Sequence, residues 1–205
     1  MVIAIVDYGI GNVNSIKNMF SSLAIESDIT SNPKYLLKAD KIVLPGIGRF
    51  DTAVEHLNSR MNLRETLLQA TSIYKIPILG ICLGMQLLAE SSEEGALPGL
   101  GLIAGKVVKF SNTARHRVPH MGWNKLKVLS DNLLLEGVEE DHRFYFSHSY
   151  YFQPEDSQTA IAATDYGLNF TSVINHGNVF GVQFHPEKSH QFGRNILKNF
   201  SRFAS

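Results

Sequence analysis

The stretch Pro77-Ile78-Leu79-Gly80-Ile81-Cys82-Leu83-Gly84-Met85-Gln86 constrains this chain more than any other. Pro77 to Ile81 is an apolar run of strand length, and from Leu83 to Glu90 apolar residues recur at helical spacing. The two periods meet at Cys82, so a strand must turn there directly into a helix. Gly80 and Gly84 bracket the junction as G-x-C-x-G. A sharp strand-to-helix turn strains its central residue and leaves no room for neighbouring Cβ atoms. Such an elbow presents its thiol rather than burying it. A helix N-terminus also lowers a thiol pKa from about 8.5 and offers unpaired N–H groups to a developing oxyanion. Cys82 is therefore a candidate acyl-transfer nucleophile. The competing reading of a lone cysteine after an apolar strand is a small buried hydrophobe, and the flanking glycines weigh against it.

The rest of the chain supplies an α/β frame for that elbow. Val2 to Asp7 is a continuous apolar run, and Val13, Ile16, Met19, Phe20 and Leu23 then recur at helical spacing. Between them Gly9 and Gly11 suggest a dinucleotide fingerprint, but Asn14 stands where its third glycine belongs. Ser27 to Thr30 reads as a weak strand, and Ser31-Asn32-Pro33 as the cap of a short helix. Lys41 to Leu44 is a third strand, ending in Pro45-Gly46-Ile47-Gly48. Helices follow over Asp51 to Leu57 and Leu63 to Ile73. The strand ending at Cys82 is then central, with its carboxyl end where open parallel sheets place ligands. Past Glu94, glycines punctuate short β-rich segments that read as antiparallel: Lys106 to Phe110, Lys125 to Leu129, the aromatic-rich Phe144 to Phe152, Ala160 to Ala163, Ser172 to Asn175 and Asn178 to Phe184. Ser189 to Phe203 closes the chain as an amphipathic helix with Phe192, Ile196, Leu197 and Phe200 on one face.

At 205 residues, 44% of them apolar, one domain spanning residues 1–205 can bury its core without disulfides or metals. Nineteen basic and nineteen acidic residues are interspersed, which argues against nucleic-acid or membrane-surface partners. One cysteine excludes a disulfide framework and a cysteine-rich zinc site, and no run is long enough for a membrane span, so a cytoplasmic protein is expected. His116 and His120, four apart, lack the further ligands that would complete a metal site.

A second constellation lies at Phe184-His185-Pro186-Glu187-Lys188-Ser189. In extended backbone His185 and Glu187 share a face, and Pro186 biases the residue before it towards that geometry. An imidazole beside a thiol can take its proton, and a carboxylate beside that imidazole fixes its tautomer, so Cys82, His185 and Glu187 would form a triad. Taken separately, His185 also reads as a surface histidine at a strand end and Glu187 as a helix-start charge.

Gly80 to Gln86 together with His185-Pro186-Glu187 closely resembles the class I, triad-type glutamine amidotransferases. Within them, Asp7 to Asn12, Pro45 to Gly48, His120 to Asn124, Ser147 to Tyr150 and His185 to Ser189 look like the glutaminase subunits of imidazole-glycerol-phosphate synthases. The elbow and the His-x-Glu pattern are shared with glutaminases that serve other synthases. The resemblance implies a flavodoxin-like fold: a mixed, mostly parallel central sheet flanked by helices, with an added antiparallel β region. It implies L-glutamine as substrate, no cofactor, and catalysis by Cys82, His185 and Glu187 through a γ-glutamyl thioester. It assigns the oxyanion donors to Gly46, Ile47, Gly48 and Leu83, and glutamine binding to Gln86, Ser147, His148, Ser149 and Tyr150. It also implies a separate (β/α)8 cyclase subunit that takes up the ammonia in histidine biosynthesis, met by Asn12, Trp123 and Lys188.

Overall fold

The computed structural model describes residues 1–60, 62–111 and 117–203. Its first half alternates as the apolar periods require. The elements are β1 (Ile3–Val6), α1 (Val13–Ser22), β2 (Ser27–Thr30), α2 (Pro33–Leu36), β3 (Lys41–Gly46), α3 (Phe50–Ser59), α4 (Leu63–Ser72), β4 (Ile78–Cys82) and α5 (Leu83–Gln86). The second half holds β5 (Ser91–Ser92), β6 (Gly105–Lys109), β7 (His120–Lys125), β8 (Lys127–Val128), β9 (Arg143–His148), β10 (Tyr150–Pro154), β11 (Ala160–Asp165), β12 (Asn169–His176), β13 (Val179–Val182) and α6 (His190–Ser201).

The main sheet runs β2-β1-β3-β4-β13-β12-β10-β6-β5. From β2 to β13 the neighbours are parallel; β12, β10 and β6 then continue antiparallel, with β11 and β8 off to one side. This is the expected parallel sheet with an antiparallel addition. Along β1, Ile3 and Ile5 join one core and Ala4 and Val6 the other, all fully buried, so both faces need a helical cover. α3 and α4 cover one face through Val54, Leu57, Leu63 and Leu67. α1 and α6 cover the other through Ile16, Phe20, Ile196, Leu197 and Phe200, each large side chain contributing about 1.5–3 kcal/mol by burial. α2 begins where Asn32 accepts from the Lys34 N–H at 3.0 Å and Pro33 fills the first helical position.

Register places the functional edge. Gly46 of β3 lies opposite Cys82 of β4, and Val182 of β13 lies opposite Ile81. The carboxyl ends of three adjacent parallel strands therefore open side by side.

The structure departs from the sequence reading in four places. The helix expected over Leu83–Glu90 stops after one turn at Gln86. The carbonyls of Leu87, Leu88, Ala89 and Glu90 instead accept N–H groups from Gly99 to Ile103, so a loop takes the bonds a longer helix would have made. The strand expected over Lys125–Leu129 is only Lys127–Val128, and the longer strand β7 precedes it. β7 was illegible because its alternation is inverted: His120 points in, while Met121 and Trp123 point out, 63% and 43% exposed. The aromatic run Phe144–Phe152 divides at Ser149, so that β9 pairs with β7 in a small antiparallel sheet and β10 joins the main one. Finally, Pro186–Lys188 is a single 3₁₀ turn rather than extended chain.

Candidate active site

Cys82 is held at φ +55°, ψ −110°, a strained conformation for a residue with a Cβ. Its glycine neighbours are required by contact. A Cβ on Gly84 would lie 1.8 Å from the Leu44 carbonyl oxygen, and one on Gly80 2.6 Å from the Gly84 oxygen. The thiol is less open than the elbow suggests: Cys82 is 5% exposed, its surface confined to the cleft it lines. Because α5 is a single turn, little macrodipole acts on the sulfur, and the local peptide N–H groups of the turn are what it offers an anion.

His185, just past the end of β13, lines the same cleft as Cys82 and interacts with it electrostatically. Its Nδ1 lies 2.9 Å from Glu187 Oε1. The 3₁₀ turn, not an extended segment, brings this i, i+2 pair together, with Pro186 opening the turn. Ser189 braces it: its hydroxyl donates to the His185 carbonyl at 2.7 Å and accepts the Tyr145 N–H at 3.0 Å. Burial alone would push His185 down. Interaction with Cys82 and with the Glu187 carboxylate outweighs burial and raises it to about 10, which favours the imidazolium. The structure thus brings Cys82 and the hydrogen-bonded pair His185–Glu187 together at one cleft.

This cleft has a volume of about 410 Å³. Ile47, Gly48, Leu83, Gln86, Ser147, His148, Ser149 and Tyr150 line it, as does Lys188. Gly46 ends β3 beside Cys82, and Gly48 turns the chain away at φ +102°. Gln86 is buried, its Nε2 donating to the Tyr150 carbonyl at 2.9 Å and to Gln183 Oε1 at 3.1 Å. Trp123 and Lys188 fall near each other at the exposed end: the Lys188 ammonium lies 5.5 Å above the Tyr145 ring, which meets Trp123 edge-on, and Trp123 stacks on His190. Asn12 is the N-cap residue of α1, its side chain making no cap hydrogen bond, and the preceding Gly11 packs against Pro45.

Four residues that sequence reasoning missed complete the surroundings. Gln183 donates to Cys82 Sγ at 3.7 Å. Tyr8 is fully buried, its hydroxyl donating to the Pro45 carbonyl at 2.7 Å, and burial with the nearby Cys82 raises its pKa. Glu94 lines the cleft, accepts the Phe50 N–H at 2.9 Å, and is raised by burial. His120 bonds to His148 at 3.0 Å. Of these, Tyr8, inside the Asp7–Asn12 motif, and His120, which opens the His120–Asn124 motif, carried a sequence signal. His116, the other half of the weighed metal pair, lies outside the described residues. Among the described residues the one cluster with metal-ligand spacing is Glu139, Asp141 and His142, none of which lines the cleft.

A nucleophile elbow at the carboxyl edge of a parallel sheet, served by a histidine and a carboxylate, defines a class of acyl-transfer enzymes. The chain belongs to the class-I glutamine amidotransferase family, which it matches over residues 4–203. Among its relatives is the imidazole glycerol phosphate synthase subunit HisH 2 of Methanococcus maripaludis, 47% identical, with 99% of this chain and 100% of that protein covered. The subunit HisH of Bdellovibrio bacteriovorus is 46% identical over 98% of this chain and 99% of its own length. In fold the chain is similar to the structure of PurLQS from Thermotoga maritima, with TM-score 0.74, 18% identity, and 98% and 97% of the two chains covered. The glutaminase domain of Trypanosoma brucei CTPS is similar as well, with TM-score 0.68, 17% identity, and 100% and 95% covered.

Proposed function

We propose that this chain is the glutaminase subunit of an imidazole-glycerol-phosphate synthase and releases ammonia from L-glutamine for a second subunit. The observation that carries the chemistry is Cys82 on a strained elbow at the same cleft as the hydrogen-bonded pair His185–Glu187. Full-length similarity to HisH subunits supports the choice of synthase.

In this mechanism the Cys82 thiolate attacks the side-chain amide carbon of glutamine. The amide oxygen takes up the electron pair and is held by the Leu83 N–H and a peptide N–H of the Gly46–Gly48 segment. His185, protonated beside the thiolate, gives its proton to the departing nitrogen, so ammonia leaves and a γ-glutamyl thioester remains. His185, now neutral, takes a proton from water as that water attacks the thioester carbonyl. Glutamate departs and the thiolate–imidazolium pair is restored. Glu187 keeps the Nδ1 proton of His185 in place and steadies its positive charge. Ser147 to Tyr150 and Gln86 form the wall that binds glutamine, and Glu94 is the carboxylate in the cleft suited to its α-ammonium group.

Ammonia set free in water is lost by dilution and protonation, so the acceptor must sit close by. We take the acceptor to be a (β/α)8 cyclase subunit seated over Asn12, Trp123 and Lys188, and the lone unpaired cysteine suits a cytoplasmic reaction. The test is a Cys82→Ala variant in the complex with its synthase subunit. Glutamine-dependent synthesis should vanish while synthesis from ammonium salts persists. Retention of glutamine-dependent synthesis would overturn the assignment.

A further inference from the structure

Two imidazoles that the thiol chemistry does not use are buried beside it. His120 and His148 oppose each other across β7 and β9, with His120 Nδ1 3.0 Å from His148 Nε2. Their protons follow by elimination. The Tyr150 carbonyl, 2.7 Å from His148 Nδ1, can only accept, so Nδ1 carries the proton. Nε2 of the neutral ring is then an acceptor, and His120 Nδ1–H donates to it. His120 Nε2 accepts in turn from Asn124 Nδ2 at 3.4 Å. The orientation of that amide is fixed independently: Nδ2 also donates to the Asp165 carbonyl at 2.9 Å, and Oδ1 accepts the Lys125 N–H at 2.8 Å. The neutral pair has one consistent arrangement, and burial keeps it neutral, holding His120 down to about 4 and His148 to about 3.

The chain continues to the thiol. The Tyr150 carbonyl that receives His148 also receives Gln86 Nε2; Gln86 holds Gln183, and Gln183 donates to Cys82 Sγ. Packing does not call for an imidazole at position 120. The ring lies between Tyr166 and Phe146, with centroids 4.0 and 4.8 Å away and near-parallel planes. A phenyl ring would stack there without the cost of desolvating two ring nitrogens. What an imidazole adds is a donor on one side and an acceptor on the other.

We propose that His120 is a positioning residue for glutamine binding: it fixes the tautomer of His148, which holds the Tyr150 carbonyl and Gln86 at the cleft wall, and Asn124 ties that wall to the exposed strand β7. The proposal rests on the glutaminase reading above and deepens it.

The test compares His120→Phe, which keeps the stacking and removes both hydrogen bonds, with His120→Gln, whose amide can donate to His148 and accept from Asn124. Glutamate release is measured in the complex with the synthase subunit, and the His148 tautomer is read by ¹⁵N NMR of the histidine rings. His120→Phe should raise the KM for glutamine about tenfold, the scale of one buried hydrogen bond, with kcat changed much less. Its His148 signals should lose their single-tautomer pattern, and His120→Gln should restore both readouts. A folded His120→Phe protein with unchanged KM and unchanged His148 signals would overturn the proposal, as would a KM that rises equally in His120→Gln. Should the unmodified complex release no glutamate, the glutaminase reading fails instead, and the NMR comparison still decides whether His120 sets the tautomer.

Discussion

Cys82 shows only 5% of its surface, so its reactivity rests on what takes its proton. His185→Ala should therefore cut glutamate release nearly as far as Cys82→Ala. Glu187→Ala should leave roughly a hundredfold more activity than His185→Ala, because a carboxylate that orients and steadies an imidazolium is the least costly triad member to lose. Steady-state assays on variants of unchanged melting temperature check the ranking; a fully active His185→Ala protein would require another base. The buried histidine pair makes a separate prediction about acid stability. His120 and His148 titrate near 6.5 when unfolded but are held down to about 4 and about 3 by burial. The fold is thus favoured fully above pH 6.5 and loses up to about 1.4 kcal/mol per group per pH unit as pH falls towards 4. His185, which faces His148, has the opposite sign: raised to about 10, its contribution is complete below 6.5 and fades as pH rises towards 10. Tyr166, stacked on His120, is the other titratable ring against the pair. Urea midpoints from pH 7 to 4 should fall less steeply for His120→Phe than for the native chain; matching slopes would contradict a buried neutral pair. The legible residues were those whose chemistry dictates spacing, namely a thiol between glycines and a histidine two from a carboxylate. Gln183 and Glu94 were not legible, since one amide at a strand end and one acid in an acidic run look like surface until the fold carries them to the sulfur.

At the scale of elements, the turns that carry the reactive groups are held by backbone contacts that admit no side chain. Gly193 of α6 packs so closely on the turn bearing Glu187 that an added Cβ would lie 1.9 Å from the Pro186 carbonyl oxygen. Gly193→Ala must therefore move either the helix or the turn, and the turn is the smaller body. Glutamate release should fall at least about tenfold, the effect of displacing a catalytic group by a fraction of an ångström or more, while circular dichroism stays native. Full activity would show that α6 yields instead. The same argument separates what the sequence disclosed of the fold from what it did not. Strands β1, β3 and β4 were legible as short apolar runs buried on both faces, and helices α1, α3, α4 and α6 because each buries a periodic apolar face. The early end of α5 was not, because the competing hydrogen bonds come from Gly99–Ile103, which no local period reveals. β7 was hidden for a different reason: its large apolar side chains, Met121 and Trp123, point outward, which suits a strand whose open face meets another protein.

On the whole-molecule scale, a glutaminase that feeds a partner should not hydrolyse glutamine when the partner is idle. The means for such control lie in the segment after β3. Tyr8 pins the Pro45 carbonyl from below at 2.7 Å, so the chain is fixed up to that point. Beyond it Ile47 is 48% exposed, and Gly48 sits at φ +102° with open space where a Cβ would be. Open space at Gly48 lets the Ile47–Gly48 peptide rotate at little steric cost, and under the proposed oxyanion assignment one orientation would aim its N–H at the oxyanion while the other would not. One such donor is worth roughly 3 kcal/mol, or about a hundredfold in rate, so an outward-facing N–H leaves the enzyme nearly idle with its triad intact. Exposed Ile47 lies on the same cleft rim as Lys188, whose ammonium covers the ring that meets Trp123, so a subunit seated there would touch the switch directly. The chain alone should accordingly release glutamate slowly and be stimulated about a hundredfold or more by the synthase subunit carrying its ammonia acceptor. Gly48→Ala, which strains the positive φ, should change the unstimulated rate more than the affinity of the two subunits. Glutamate release measured with and without the liganded partner decides the matter: equal rates would mean that the oxyanion donor is already in place and that no gate exists.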